Sequence, residues 1–96
     1  METTFNHYTG ENFTIEINFY HEFQGRGGWK IFCDVVYNGR KQKFSHYTTS
    51  ASFIDEINDL KADDAPYSTI QEAYHNFTMP HLSDIIGEWC VSVNEE

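Results

Sequence analysis

From Asn12 to Phe23 apolar and polar residues alternate without a break. Phe13, Ile15, Ile17, Phe19, His21 and Phe23 fall on one side, and Asn12, Thr14, Glu16, Asn18, Tyr20 and Glu22 on the other. A period of two, rich in aromatic and β-branched residues, is the signature of a half-buried strand. A glycine-rich turn, Gln24 to Gly28, follows. Trp29, Ile31, Cys33, Val35 and Tyr37 then resume one apolar face in a second strand. Asn38-Gly39 suits a two-residue hairpin, because both of its central positions take positive φ. A third strand therefore runs from about Arg40 to Thr48. The segment around Phe5 to Tyr8, with a turn at Gly10, offers a fourth.

The tight turn fixes the register. With Tyr37 opposite Arg40, Asp34 faces Lys43, Cys33 faces Phe44, Ile31 faces His46 and Lys30 faces Tyr47. With Phe23 opposite Trp29, Glu22 faces Lys30 and Tyr20 faces Phe32.

After Thr49 the period lengthens to that of a helix. Phe53, Ile54, Ile57 and Leu60 form one stripe, with Ser50 or Ser52 as its cap. Asp63-Asp64-Ala65-Pro66 marks a break. Ser68 to Gln71 matches a capping box, and Ile70, Ala73, Tyr74 and Phe77 make a second stripe. Beyond Met79-Pro80, a third contains Leu82, Ile85, Ile86, Trp89 and Val93, with Gly87 on its flank. The pattern predicts one α+β domain over residues 1–96. It is a two-layer sandwich: an antiparallel meander of three or four strands (about 12–48), then three helices (about 51–93). Such a sheet has room for about two helices on one face. The third must pack at an edge, cover the other face or lie against a partner.

Charge changes the picture more than composition does. Of 15 acids and six basic residues, residues 1–50 hold five of each. Residues 51–96 hold ten acids against Lys61 alone, so the whole net charge of −9 sits in the helical half. That pole repels nucleic acid and membrane phosphates and attracts basic partners. The basic stretch from Lys30 to Lys43 is largely internal balance, because Lys30 and Lys43 face Glu22 and Asp34 across strands. Arg26, Arg40 and Lys41 are left free at turns, too scattered for a nucleic-acid footprint.

No catalytic, metal or cofactor motif stands in the chain. His21 and His46 share a sheet face but lie two strands apart, about 10 Å, too far to share an ion directly. His75 and His81 fall on either side of the expected helix break. Cys33 sits mid-strand on the apolar face, where a thiol is hidden and its pKa raised, and Cys90 borders the third stripe. The glycines at 25, 27 and 28 join two strands, whereas a phosphate cradle needs a following helix N-terminus. Two cysteines, and no basic-apolar leader at the N-terminus, suit a reducing cytoplasm; the Asn12 and Asn76 glycosylation tripeptides are then coincidental.

Two surfaces remain. Asp55, Glu56 and Asp59 fall opposite the first helical stripe, Asp63 and Asp64 follow at once, and Asp84 and Glu88 mark the outer side of the last helix. Such a face suits the basic groove of another protein. The second surface is the nominally polar sheet face, which carries Tyr20, Phe32, Val36 and Tyr47. Aromatics there either bind a partner or lie under the third helix or a second copy of the chain. The expectation is a non-enzymatic protein-binding module, in its narrower form an inhibitor that mimics phosphates toward a nucleic-acid-binding protein. In size and charge the chain is similar to the small acidic proteins with which phages and mobile elements block restriction or CRISPR nucleases, although no motif carries the likeness. The alternatives are a small enzyme or ligand-binding domain using the sheet face, and a homo-oligomeric structural protein.

Overall fold

The computed structural model describes all 96 residues. Four strands, β1 (Glu2–Asn6), β2 (Asn12–Gly25), β3 (Gly28–Tyr37) and β4 (Arg40–Thr48), form one antiparallel sheet in chain order. Two helices follow, α1 (Ala51–Ala62) and α2 (Tyr67–Asn94). The expected pairings hold throughout β2, β3 and β4, from Phe23 opposite Trp29 to Tyr37 opposite Arg40. Both hairpins turn on residues with positive φ: Arg26 (53°) and Gly27 (72°) in the first, Asn38 (49°) and Gly39 (77°) in the second. The fourth strand exists, but it lies at Glu2–Asn6, earlier than expected, and Tyr8 belongs to the turn.

The inward residues of β2 and β3 (Phe13, Ile15, Ile17, Phe19, Ile31, Cys33 and Val35) meet Phe53, Ile54 and Ile57 of α1 and Tyr74, Met79, Leu82, Ile86 and Cys90 of α2 in one core. Rings bind the layers together. Phe53 stacks on Phe77 at 3.9 Å, and Trp89 meets Tyr37 and Phe44 edge-on. Apolar burial of this extent is the main force holding the helices to the sheet.

There are two helices, where three were expected. Met79-Pro80 does not break α2, which runs 28 residues with Pro80 inside it. Proline removes one N–H and crowds the carbonyl four residues earlier, that of Asn76. Both Asn76 and Pro80 are exposed, so water can take up the freed carbonyl. On the opposite side Thr78, Met79 and Leu82 are buried against the sheet. Core packing thus carries the helix through the proline. Ile85, expected in the stripe, is 57% exposed; the buried line runs through Thr78, Leu82, Ile86 and Cys90.

The expected capping box is also absent. Ser50 does cap α1, accepting from the Phe53 N–H at 3.4 Å, but α2 starts at Tyr67 with Pro66 as its cap residue and no side-chain cap bond. Gln71 is used elsewhere. Its amide oxygen accepts from the Phe19 N–H at 2.8 Å and its amide nitrogen donates to the Phe19 carbonyl at 2.9 Å. Ile17, two residues earlier, makes the same pair of bonds with Met1, the last of the β1 side. Backbone groups alternate in direction along a strand, so Phe19 faces the place where β1 has ended. Gln71 supplies there the donor and acceptor of one missing strand residue.

Candidate functional site

Both helices pack on the inward face of the sheet, so the third-helix cover considered for Tyr20, Phe32, Val36 and Tyr47 does not exist. That outer face is open. Tyr20 and Phe32 stack at 5.1 Å, and the Lys43 ammonium lies 5.4 Å from both ring centroids. Lys43 also donates to the Tyr20 hydroxyl at 2.6 Å and lies 3.9 Å from Asp34. The Tyr20 hydroxyl, and then Asp34 and Glu22, raise the Lys43 pKa, so it stays charged. Tyr47 is half exposed; its ring lies over Gly28, where any Cβ would collide with it. Asp34, Val36, Lys41 and Lys43 line a shallow basin of about 610 Å³ beside these rings. Of the two expected cross-strand ion pairs, Asp34–Lys43 forms, while Glu22 and Lys30 stand opposite without closing to ion-pair distance.

The acidic residues divide into two groups. Asp55, Glu56, Asp59, Asp63 and Asp64 are all exposed along α1 and its C-terminal turn. Asp55, Asp59 and Asp63 succeed each other every four residues, about 6 Å apart along the helix. Asp63 is the C-cap residue, and Asp64 adopts a left-handed φ of 54°. No basic side chain pairs with any of the five. Lys61, the one nearby cation in the sequence, instead directs its ammonium toward the Tyr74 hydroxyl at 3.5 Å. The helix macrodipole adds to the strain, because its negative end lies at Asp59, Asp63 and Asp64.

Asp84 and Glu88 do not join this cluster. The Lys61–Tyr74 contact sets the end of α1 beside the first half of α2, and Asp84 lies ten residues further, about 15 Å along the axis. Glu88 accepts a hydrogen bond from the Tyr8 hydroxyl, and that bond raises the Tyr8 pKa. Arg40, expected to be free, pairs with Glu96 at 2.7 Å. Lys41 and Arg26 carry no ion pair.

Both thiols are enclosed, and the histidines are held by neighbours. Cys33 and Cys90 are buried free thiols, and burial pushes their pKa values up to about 12 and about 11. His21 shares a 2.7 Å hydrogen bond with Tyr74, and His75 one of 3.1 Å with Thr3. A contact that sequence reasoning missed is the stack of His46 on His81, 4.1 Å between ring centroids and 8° from parallel. No pattern in the chain signals it, because it joins β4 to α2 across the fold. Nowhere do three or more histidine, cysteine or carboxylate groups converge as metal ligands, and no helix is long and apolar enough to cross a membrane. No family model, curated protein or solved structure matches this chain.

Proposed function

We propose that this protein is a non-enzymatic binding module whose α1 face engages the basic surface of another protein, in the narrower form a protein that holds nucleic acid. One observation carries the reading. Five exposed carboxylates stand along α1 and its C-terminal turn with no cation from their own chain, and three of them, Asp59, Asp63 and Asp64, lie at the end where the helix dipole opposes them. Such an arrangement costs folding stability, and a basic partner would recover it on binding. The spacing of Asp55, Asp59 and Asp63 is on the scale of neighbouring phosphates along a strand, which suits a surface built to hold them. A module of this type acts by occupying its partner's site and repels free nucleic acid.

The test compares the wild type with a variant carrying Asp55→Asn, Glu56→Gln, Asp59→Asn, Asp63→Asn and Asp64→Asn. Both are immobilised in parallel, loaded with cell lysate and eluted in salt steps. The reading predicts a nucleic-acid-binding protein held by the wild type alone, released at moderate salt and displaced by duplex DNA. Identical retention on the two columns sinks it.

A further inference from the structure

We propose that the open sheet face is the interface of a homodimer, with a second copy of this chain packed face to face about a two-fold axis parallel to the strands. The proposal is independent of the α1 reading and concerns the opposite side of the molecule.

The first ground is charge. The helical half of the chain carries the net charge of −9, whereas the outer sheet face is nearly neutral. Two copies can meet there without adding acid to acid. The face is also divided. Its acids Glu2, Glu16 and Glu22 lie on β1 and β2, and its lysines Lys30, Lys41 and Lys43 lie on β3 and β4. The remaining acid, Asp34, already neighbours Lys43 at 3.9 Å.

The register then decides the orientation. Glu22 and Lys30 stand at one level, Tyr20 and Phe32 at the next, and Glu2, Glu16, Val36 and Lys41 at another. A two-fold axis along the strands, between β2 and β3, exchanges left for right and keeps each level. It sets Glu22 against Lys30 of the second copy, Glu2 against its Lys41, and Tyr20 against its Phe32. A two-fold axis across the strands would instead set β2 on β2, and Glu16 against Glu22. Only the first arrangement is self-complementary, as an isologous interface must be.

The area suffices. Three strands of about 34 Å at about 4.8 Å spacing, with the short β1 beside them, give about 600 Å² per copy and about 1,200 Å² for the pair. That is the lower bound of a specific interface. Sheets packed in this way lie about 10 Å apart with strands nearly aligned. The result is a four-layer particle that leaves the α1 face of each copy outward.

Sedimentation velocity and light scattering over a concentration series test the proposal. The wild type is expected to move from 11.2 kDa toward twice that mass as concentration rises. Glu22→Lys and Lys30→Glu each place like charges across the axis twice, and each weakens self-association about a hundredfold. Mixed together, the two variants pair with each other, and the double variant regains the dimer; circular dichroism confirms that all are folded. A wild type that stays monomeric, or a dimer indifferent to both single changes, overturns the proposal. So does a failure of the mixture to associate.

Discussion

Gln71 of α2 exchanges two hydrogen bonds with the backbone of Phe19 in β2, and so stands in for a residue of the edge strand. The contact is buried and joins positions 52 residues apart. Replacing Gln71 by Ala strands an N–H and a carbonyl in the core. The loss is expected to be about 2–6 kcal/mol, at the usual one to three for each orphaned group. Urea denaturation should show a lower midpoint with an unchanged m-value. Gln71→Glu should be no better than Ala, because its carboxylate must face the Phe19 carbonyl.

Gly87 is required by His7. The His7 ring lies so close to the helix that a Cβ at Gly87 would stand 2.7 Å from Nε2 and closer still to Cδ2. Gly87→Ala should destabilise by about 1–3 kcal/mol through overpacking, even though alanine favours helix. The double variant with His7→Ala should be more stable than the sum of the two single changes predicts. A double-mutant cycle by thermal melting measures that coupling.

Pro80 is the opposite case. Its ring is exposed, and it withholds one hydrogen bond from the Asn76 carbonyl and crowds it. Pro80→Ala should restore that bond and stabilise α2 by about 1–3 kcal/mol. The far-ultraviolet helical signal should rise with the melting temperature.

Acid should weaken the fold before the carboxylates titrate. Burial, and then the neighbouring His81, lower the pKa of His46; burial, and then Lys61, lower that of His21. In the unfolded chain both titrate near about 6.5. The unfolded state therefore takes up protons first as pH falls. The contribution to stability is complete above about pH 6.5 and is lost as pH drops through the window between that value and the lower folded ones. Melting temperatures across this range should slope downward, and replacing His46 and His21 by Gln should flatten the slope.

The five carboxylates of α1 should be dispensable for folding. Converting them to amides removes repulsion among Asp55, Asp59 and Asp63 and relieves the helix dipole at Asp63 and Asp64. The amide variant should melt higher than the wild type at low salt. The difference should shrink as salt is added.

The pairings of β2, β3 and β4 could be read from the chain to the residue, because alternation is strict in β2 and Asn38-Gly39 fixes where β4 begins, whereas the short β1 lies earlier than the pattern around Phe5 to Tyr8 suggests. The helices could be read less far. The position that joins the two stripes of α2 is Thr78, fully buried yet polar, so hydrophobic periodicity breaks just where the helix does not. Gln71 matched a local cap but serves a distant strand. Local patterns record local bonds, and both residues act through tertiary contacts. The acidic face was visible as exposed positions on a helical period, but its separation from Asp84 and Glu88 depends on how α1 lies against α2. The His46–His81 stack depends on the same packing and left no trace in the spacing.

The strand order has a kinetic consequence. Each strand pairs only with its predecessor in the chain, so every ladder closes through a short loop and the sheet can assemble rapidly. Its inward face, however, must wait for α1 and α2, which leave the ribosome after it. During synthesis the nascent meander exposes Phe13, Ile15, Ile17 and Phe19 on one side while Tyr20 and Phe32 face the other. Until the 28-residue α2 docks, this chain is a sheet with two sticky faces, and its encounter with chaperones belongs to that interval.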